Sequence, residues 1–226
     1  MSRLIESLED RVLLSVTPSQ LQADAKALVT ATTASNAAFN AVQSAEFGLI
    51  HSVAKNVKHN GGLIGNVVGS ALIGALSGAG KTGYAHIKSS QKTLTMSAKS
   101  TATQSVAKGR ALLKDASNST IATDVQDLIT QLSATLPADL SSLQTVLQDA
   151  GTVIENAFAA IVAALPGISS AVDSAAQAVL QKTQDFDTAL AAIPTAAAQL
   201  AADLSSLTAA QGAAISHAYV GPPPSR

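Results

Sequence analysis

Between residues 119 and 218 apolar side chains recur at alternating spacings of four and three, and this periodicity constrains the chain more than any other feature. The first stretch runs from Ile121 through Val125, Leu128, Leu132, Leu136 and Leu140 to Ile161, and the pattern resumes from Val172 to Ile193 and from Ala197 to Ala214. That spacing keeps apolar groups on one stripe of a helix, so the segment predicts helices packed against helices. Pro137, Pro166 and Pro194 each follow a Leu or Ile at near-equal intervals, which predicts repeated helices of about four heptads, with the clearest turn at Pro166-Gly167 and, as the alternative at Pro194, a helix that only bends because Ile193 continues the seam.

Composition sets the character of that packing. About a fifth of the 226 residues are Ala and only 3% are aromatic, so each buried position removes little apolar area from water and the helices must approach closely. Ala, Leu, Gln and Lys favour helix locally, and strand-like runs are sparse. The predicted fold is all-α: an elongated, antiparallel, coiled-coil-like bundle, Ala-rich, with a Gly-rich apolar helix or hairpin. No Cys is present, which removes disulfides, thiolate chemistry and Cys-ligated metals.

The N-terminal segment, residues 1–16, lacks the continuous apolar run of an ordinary signal peptide. Its string IESLEDRVLLS, residues 5–15, resembles the LEPR-XLL motif, E-x-L-E-P-R-x-L-L-S, of extracellular proteins of planctomycete bacteria. Glu6, Leu8, Glu9, Arg11, Leu13, Leu14 and Ser15 fall on the pattern, and Asp10 stands where the family has Pro. The resemblance implies export or surface placement and covers these eleven residues alone.

Thr17-Pro18 predicts the start of an amphipathic helix over 17–60, with Leu21, Ala25, Leu28, Thr32, Phe39, Val42, Leu49 and Val53 on one face. Residues 61–83 follow as a distinct segment in which 61–80 carries no charge and seven glycines. Gly61, Gly65 and Gly69 are spaced by four, as are Ser70, Gly74 and Gly78, and small residues so placed make a groove for a second helix. Three conformations fit: a buried hairpin or close-packed helix, a membrane span flanked by Lys55, Lys58 and Lys81, or a loop.

A basic helix is predicted over 84–118, with Lys88, Lys92, Lys99, Arg110 and Lys114 within an arc of about 80°. The acidic helices of 119–218 begin at an Asn118 cap, and a Pro-rich, non-helical tail occupies 219–226. Nine bases and no acid lie between Phe47 and Lys114, whereas ten acids face two bases from Asp115 onward. The basic middle therefore predicts an anionic contact, most simply the chain's own acidic half. An anionic membrane is a less direct partner, and nucleic acid is disfavoured because no aromatic residues interleave the bases.

No catalytic constellation emerges, no cofactor is implied, and no metal site is indicated. ALSGAGKT, residues 75–82, matches a phosphate-binding P-loop if Ala replaces the first Gly, with Lys81 and Thr82 in the ligand positions. Such a loop requires a preceding strand, and none is predicted. His51, His59, His86 and His217 are scattered, and Asp185 and Asp187 point about 200° apart on a helix. The expectation is an exported or cell-surface helical structural or interaction protein without catalysis, self-associating or binding other helical proteins. The alternative is a membrane-active protein that inserts 61–80.

Overall fold

Thr17 and Pro18 open the first helix as their order predicts. The Thr17 hydroxyl accepts from the Gln20 N–H at 3.1 Å, and Pro18, at the first helical position, has no N–H to leave unpaired. The computed structural model describes residues 16–60, 62–115, 117–164 and 170–219. These residues form four helical rods: α1 (Pro18–Asn60), α2 (Gly62–Lys114), α3 (Ser119–Thr130) continued through a π turn (Gln131–Thr135) into α4 (Leu136–Ala164), and α5 (Ser170–Tyr219). No strand occurs among the described residues, and the fold is an all-α helical bundle.

Contacts divide the chain into two compact units. The first joins α1 up to Ala31, α2 from Met96, the α3 rod up to Pro137, and α5 from Ala192; the second joins Thr32–Thr95 with Ala138–Ala191. In the first unit Leu21, Leu28, Leu112, Val125, Leu128, Leu132, Leu200 and Leu204 are buried. Thr101 donates to Gln131 at 3.1 Å and Lys108 to Asp124 at 2.6 Å, so residue numbers rise along α3 as they fall along α2, and the two are antiparallel. Gly109 marks the closest approach there: a Cβ would collide with the Leu21 side chain and lie 3.5 Å from Leu204 and Leu207.

In the second unit the Phe39 and Phe186 rings, from α1 and α5, pack with centroids 5.6 Å apart. Leu49, Val53 and Val57 of α1 pack with Val172 and Val179 of α5, and Ile73 of α2 lies against them. A polar layer crosses this core. The Gln91 amide N–H donates to the buried Ser35 hydroxyl at 2.6 Å and Asn36 to Thr95 at 2.8 Å, while the Gln91 amide oxygen is buried without a partner. Such a layer fixes which residues of α1 and α2 face each other, because a slip would strand buried polar atoms.

Two expectations are corrected. First, no boundary separates the Gly-rich segment from the basic helix: of the conformations that fitted 61–80 the segment takes the helical one, and α2 runs unbroken from Gly62 through Gly83 to Lys114. Alternation of the glycines with Leu, Ile, Val and Ala supplies enough helix formers to carry it.

Second, the prolines do not mark equal helical units. Pro194 sits inside α5 without ending it, the alternative that the place of Ile193 in the seam had offered. Pro137 is absorbed two residues after the π turn ends at Thr135, where the Leu136 N–H bonds back to the Gln131 carbonyl and the widened turn gives the proline ring room. Pro166 lies outside the described residues. In the small-residue stripe, a Cβ added at Gly74 or Gly78 would meet nothing within 4 Å.

Candidate functional site

The charged surface is the feature in which the two halves of the chain differ most. Lys88 and Lys92 are exposed on α2 in the second unit, and Lys99, Arg110 and Lys114 are exposed on α2 in the first. Arg110 donates to the Gln22 amide oxygen at 2.6 Å, so it binds a neutral side chain rather than an acid. Among the described residues only Lys108 joins the basic middle to the acidic half, through Asp124. The expected contact with the chain's own acidic half is made at this one ion pair, and among the described residues Lys88, Lys92, Lys99 and Lys114 form none. The reason is register, since heptad packing turns the apolar and hydroxyl stripe of α2 inward and leaves its lysines outside.

The acids are similarly disposed. Asp127, Asp149, Asp173 and Asp187 are exposed, and Asp185 is held by Lys182 of its own helix at 2.8 Å. Hydrogen bonds from Lys182 and Gln181 lower the Asp185 carboxyl below its ordinary range.

Two acids are turned inward. Glu46 of α1 is buried and makes no hydrogen bond or ion pair, and burial pushes its carboxyl up to about 8. Asp203 of α5 is 7% exposed, with one carboxylate oxygen lacking any partner. Burial pushes it up to about 6, reinforced by the nearby Asp24 carboxyl of α1 and opposed by the hydrogen bond from Gln199, because a like charge close by disfavours ionisation. Neither acid was singled out from the sequence. Glu46 could have been, since it lies between Val42 and Leu49 at the spacing of the buried face.

Other candidates take their places in α2. Residues 75–82 are helical, so their backbone N–H groups serve the helix and do not form the cradle of a P-loop; the side chains of Lys81 and Thr82 lie outside the described residues. Gly65 and Gly69 also fall within α2, whereas Gly61 lies outside the described residues, as do Glu6, Leu8, Glu9, Arg11, Leu13 and Leu14. Among the described residues no helix is long and apolar enough to cross a membrane, and no three potential ligand side chains cluster to hold a metal.

The hydroxyls are engaged locally. Thr93, Thr103, Thr123, Ser142 and Thr183, for example, each donate to the carbonyl four residues earlier at 2.9–3.1 Å. Such back-bonding is how a helix accommodates Ser and Thr, and it ties these hydroxyls to backbone rather than to a general base. His51 and His86 are exposed on separate helices.

No protein-family model matches the chain, and no curated protein and no solved structure is similar to it.

Proposed function

We propose that the protein is an exported or cell-surface helical structural or interaction protein that acts through the outer faces of its helices and performs no catalysis. The observation that supports this most directly is the separation of charge: lysines of α2 and acids of α4 and α5 stand exposed and unneutralised, while the interior is given over to packing. Exposed charge held in stripes on rigid helices is suited to recognising another surface, and it has no convergent geometry for bond making. The N-terminal resemblance to LEPR-XLL supplies the route to the envelope or medium.

Fractionation of producing cells tests the placement. The full chain is expected in the envelope or medium, and a chain lacking residues 5–15 is expected to stay in the cytoplasm. Retention of the full chain in the cytoplasm would remove the export half of the proposal.

A further inference from the structure

We propose that the second unit docks onto a second copy of this chain, the basic outer face of the α1–α2 hairpin of one copy meeting the acidic outer face of α5 in the next. This rests on the reading of the protein as one that acts through helix surfaces. It is carried by two exposed apolar side chains, each bracketed by charge of a single sign.

Phe47 and Leu180 are 67% and 54% exposed, and both belong to the second unit. Phe47 follows Asn36 by eleven residues, three helical turns, and Asn36 reaches across to Thr95 of α2. Phe47 therefore lies on the flank of α1 that borders α2, and Lys58, a further three turns on, shares that flank. On α2, Lys88 precedes Thr95 by two turns and occupies the matching flank. The two helices run antiparallel, since Asn36 meets Thr95 while Ile73 meets the Leu49–Val57 stretch, so Lys88 lies roughly 6 Å from Phe47 along the axis, on the neighbouring helix, and Lys58 roughly 17 Å the other way.

Leu180 is six residues from Phe186, about 120° around α5, and Phe186 is the residue that packs on α1. It therefore lies off the α1 side. Asp173 and Asp187 stand two turns before and after it on the same flank, each about 10 Å away. One face thus has an apolar centre between lysines, and the other an apolar centre between aspartates.

Among the described residues neither face is neutralised. In the second unit α1 and α2 expose Lys55, Lys58, Lys88 and Lys92, and the acid among them, Glu46, is buried. The acidic segment exposes Asp149, Asp173 and Asp187, and its cation Lys182 is occupied by Asp185. Complementary charge around a desolvating apolar contact both steers and fixes an encounter. Because the two faces differ, the contact is head to tail, and copies can add to either end.

Sedimentation velocity on the full chain tests this, at about 50 mM and about 500 mM NaCl, where the Debye length shortens several-fold. Concentration-dependent assemblies are expected at low salt and monomers at high salt. K58E/K88E and D173K/D187K should each be monomeric at low salt with unchanged helicity. An equimolar mixture of the two should assemble again, because every face then meets its opposite. F47S/L180S should weaken assembly at least about tenfold.

A wild-type chain that stays monomeric at low salt up to about 100 µM would overturn the proposal, as would a mixture that fails to assemble. Retention on anionic vesicles that depends on Lys58 and Lys88, without self-assembly, would overturn it too and assign the basic face to an acidic lipid surface. None of these outcomes alters the fractionation result on which the exported placement is judged.

Discussion

Glu46 is an ionisable group placed where an apolar one would pack, and its consequence is a pH dependence of stability. With the folded-state carboxyl raised from 4.5 to about 8 by burial, the folded chain holds a proton that the unfolded chain has released across that interval. Stability from this group is complete below about pH 4.5 and is lost as pH rises toward 8, by up to about 1.4 kcal/mol per pH unit. Asp203 acts in the same direction, from its ordinary value up to about 6. Glu46→Gln removes the charge while keeping the shape, so its thermal midpoint should exceed that of the wild type at pH 8 and match it near pH 4.5. Equal midpoints at pH 8, measured by circular dichroism, would mean that Glu46 ionises in the folded chain without penalty.

At the scale of elements, α2 contrasts two kinds of glycine. Gly74 and Gly78 have open space at the Cβ position, so each carries the helical cost of glycine with no packing return, and Ala there should add up to about 1 kcal/mol. Gly109 is enclosed by Leu21, Leu204 and Leu207, and Ala there should destabilise by about 1 kcal/mol, overpacking outweighing the helical gain. Urea unfolding of the three variants checks the opposite signs, and stabilisation by Gly109→Ala would show that Leu21 yields easily. In the sequence the three glycines look alike, because what separates them is the neighbouring helix.

The same distinction explains which elements could be read in advance. The α1 start at Thr17-Pro18 and the Asn118 cap, whose side chain accepts from the Ile121 N–H at 3.2 Å, are local and were legible. So was the buried face of α1, each named position of which is buried. The continuity of α2 through the glycines and of α5 through Pro194 was only one of the alternatives the sequence offered, because Gly and Pro read locally as breaks, whereas the helix formers among the glycines carry α2 and the buried Leu190, Ile193 and Ala197 hold α5 across its proline. The inward acids were missed for a related reason: the apolar periodicity passes over any polar residue that occupies a seam position.

For the whole molecule, the central claim is that its described positive and negative residues, Glu46 and Asp203 apart, face outward and are not spent on holding the chain together. The uneven distribution of charge was plain in the sequence, but whether the halves neutralise each other depends on helix register, which brings only Lys108 to Asp124 among the described residues. A single exposed pair contributes about 0–1 kcal/mol, so screening it should hardly affect folding. Repulsion among the unpaired lysines of α2 would be relieved by salt, a small effect of the opposite sign. The most direct measurement is the thermal unfolding midpoint of the dilute monomer, followed by circular dichroism from about 20 mM to about 500 mM NaCl. The midpoint is predicted to stay level or rise slightly; a fall of more than about 5 °C would show that the basic and acidic halves stabilise each other within the chain and would contradict the account.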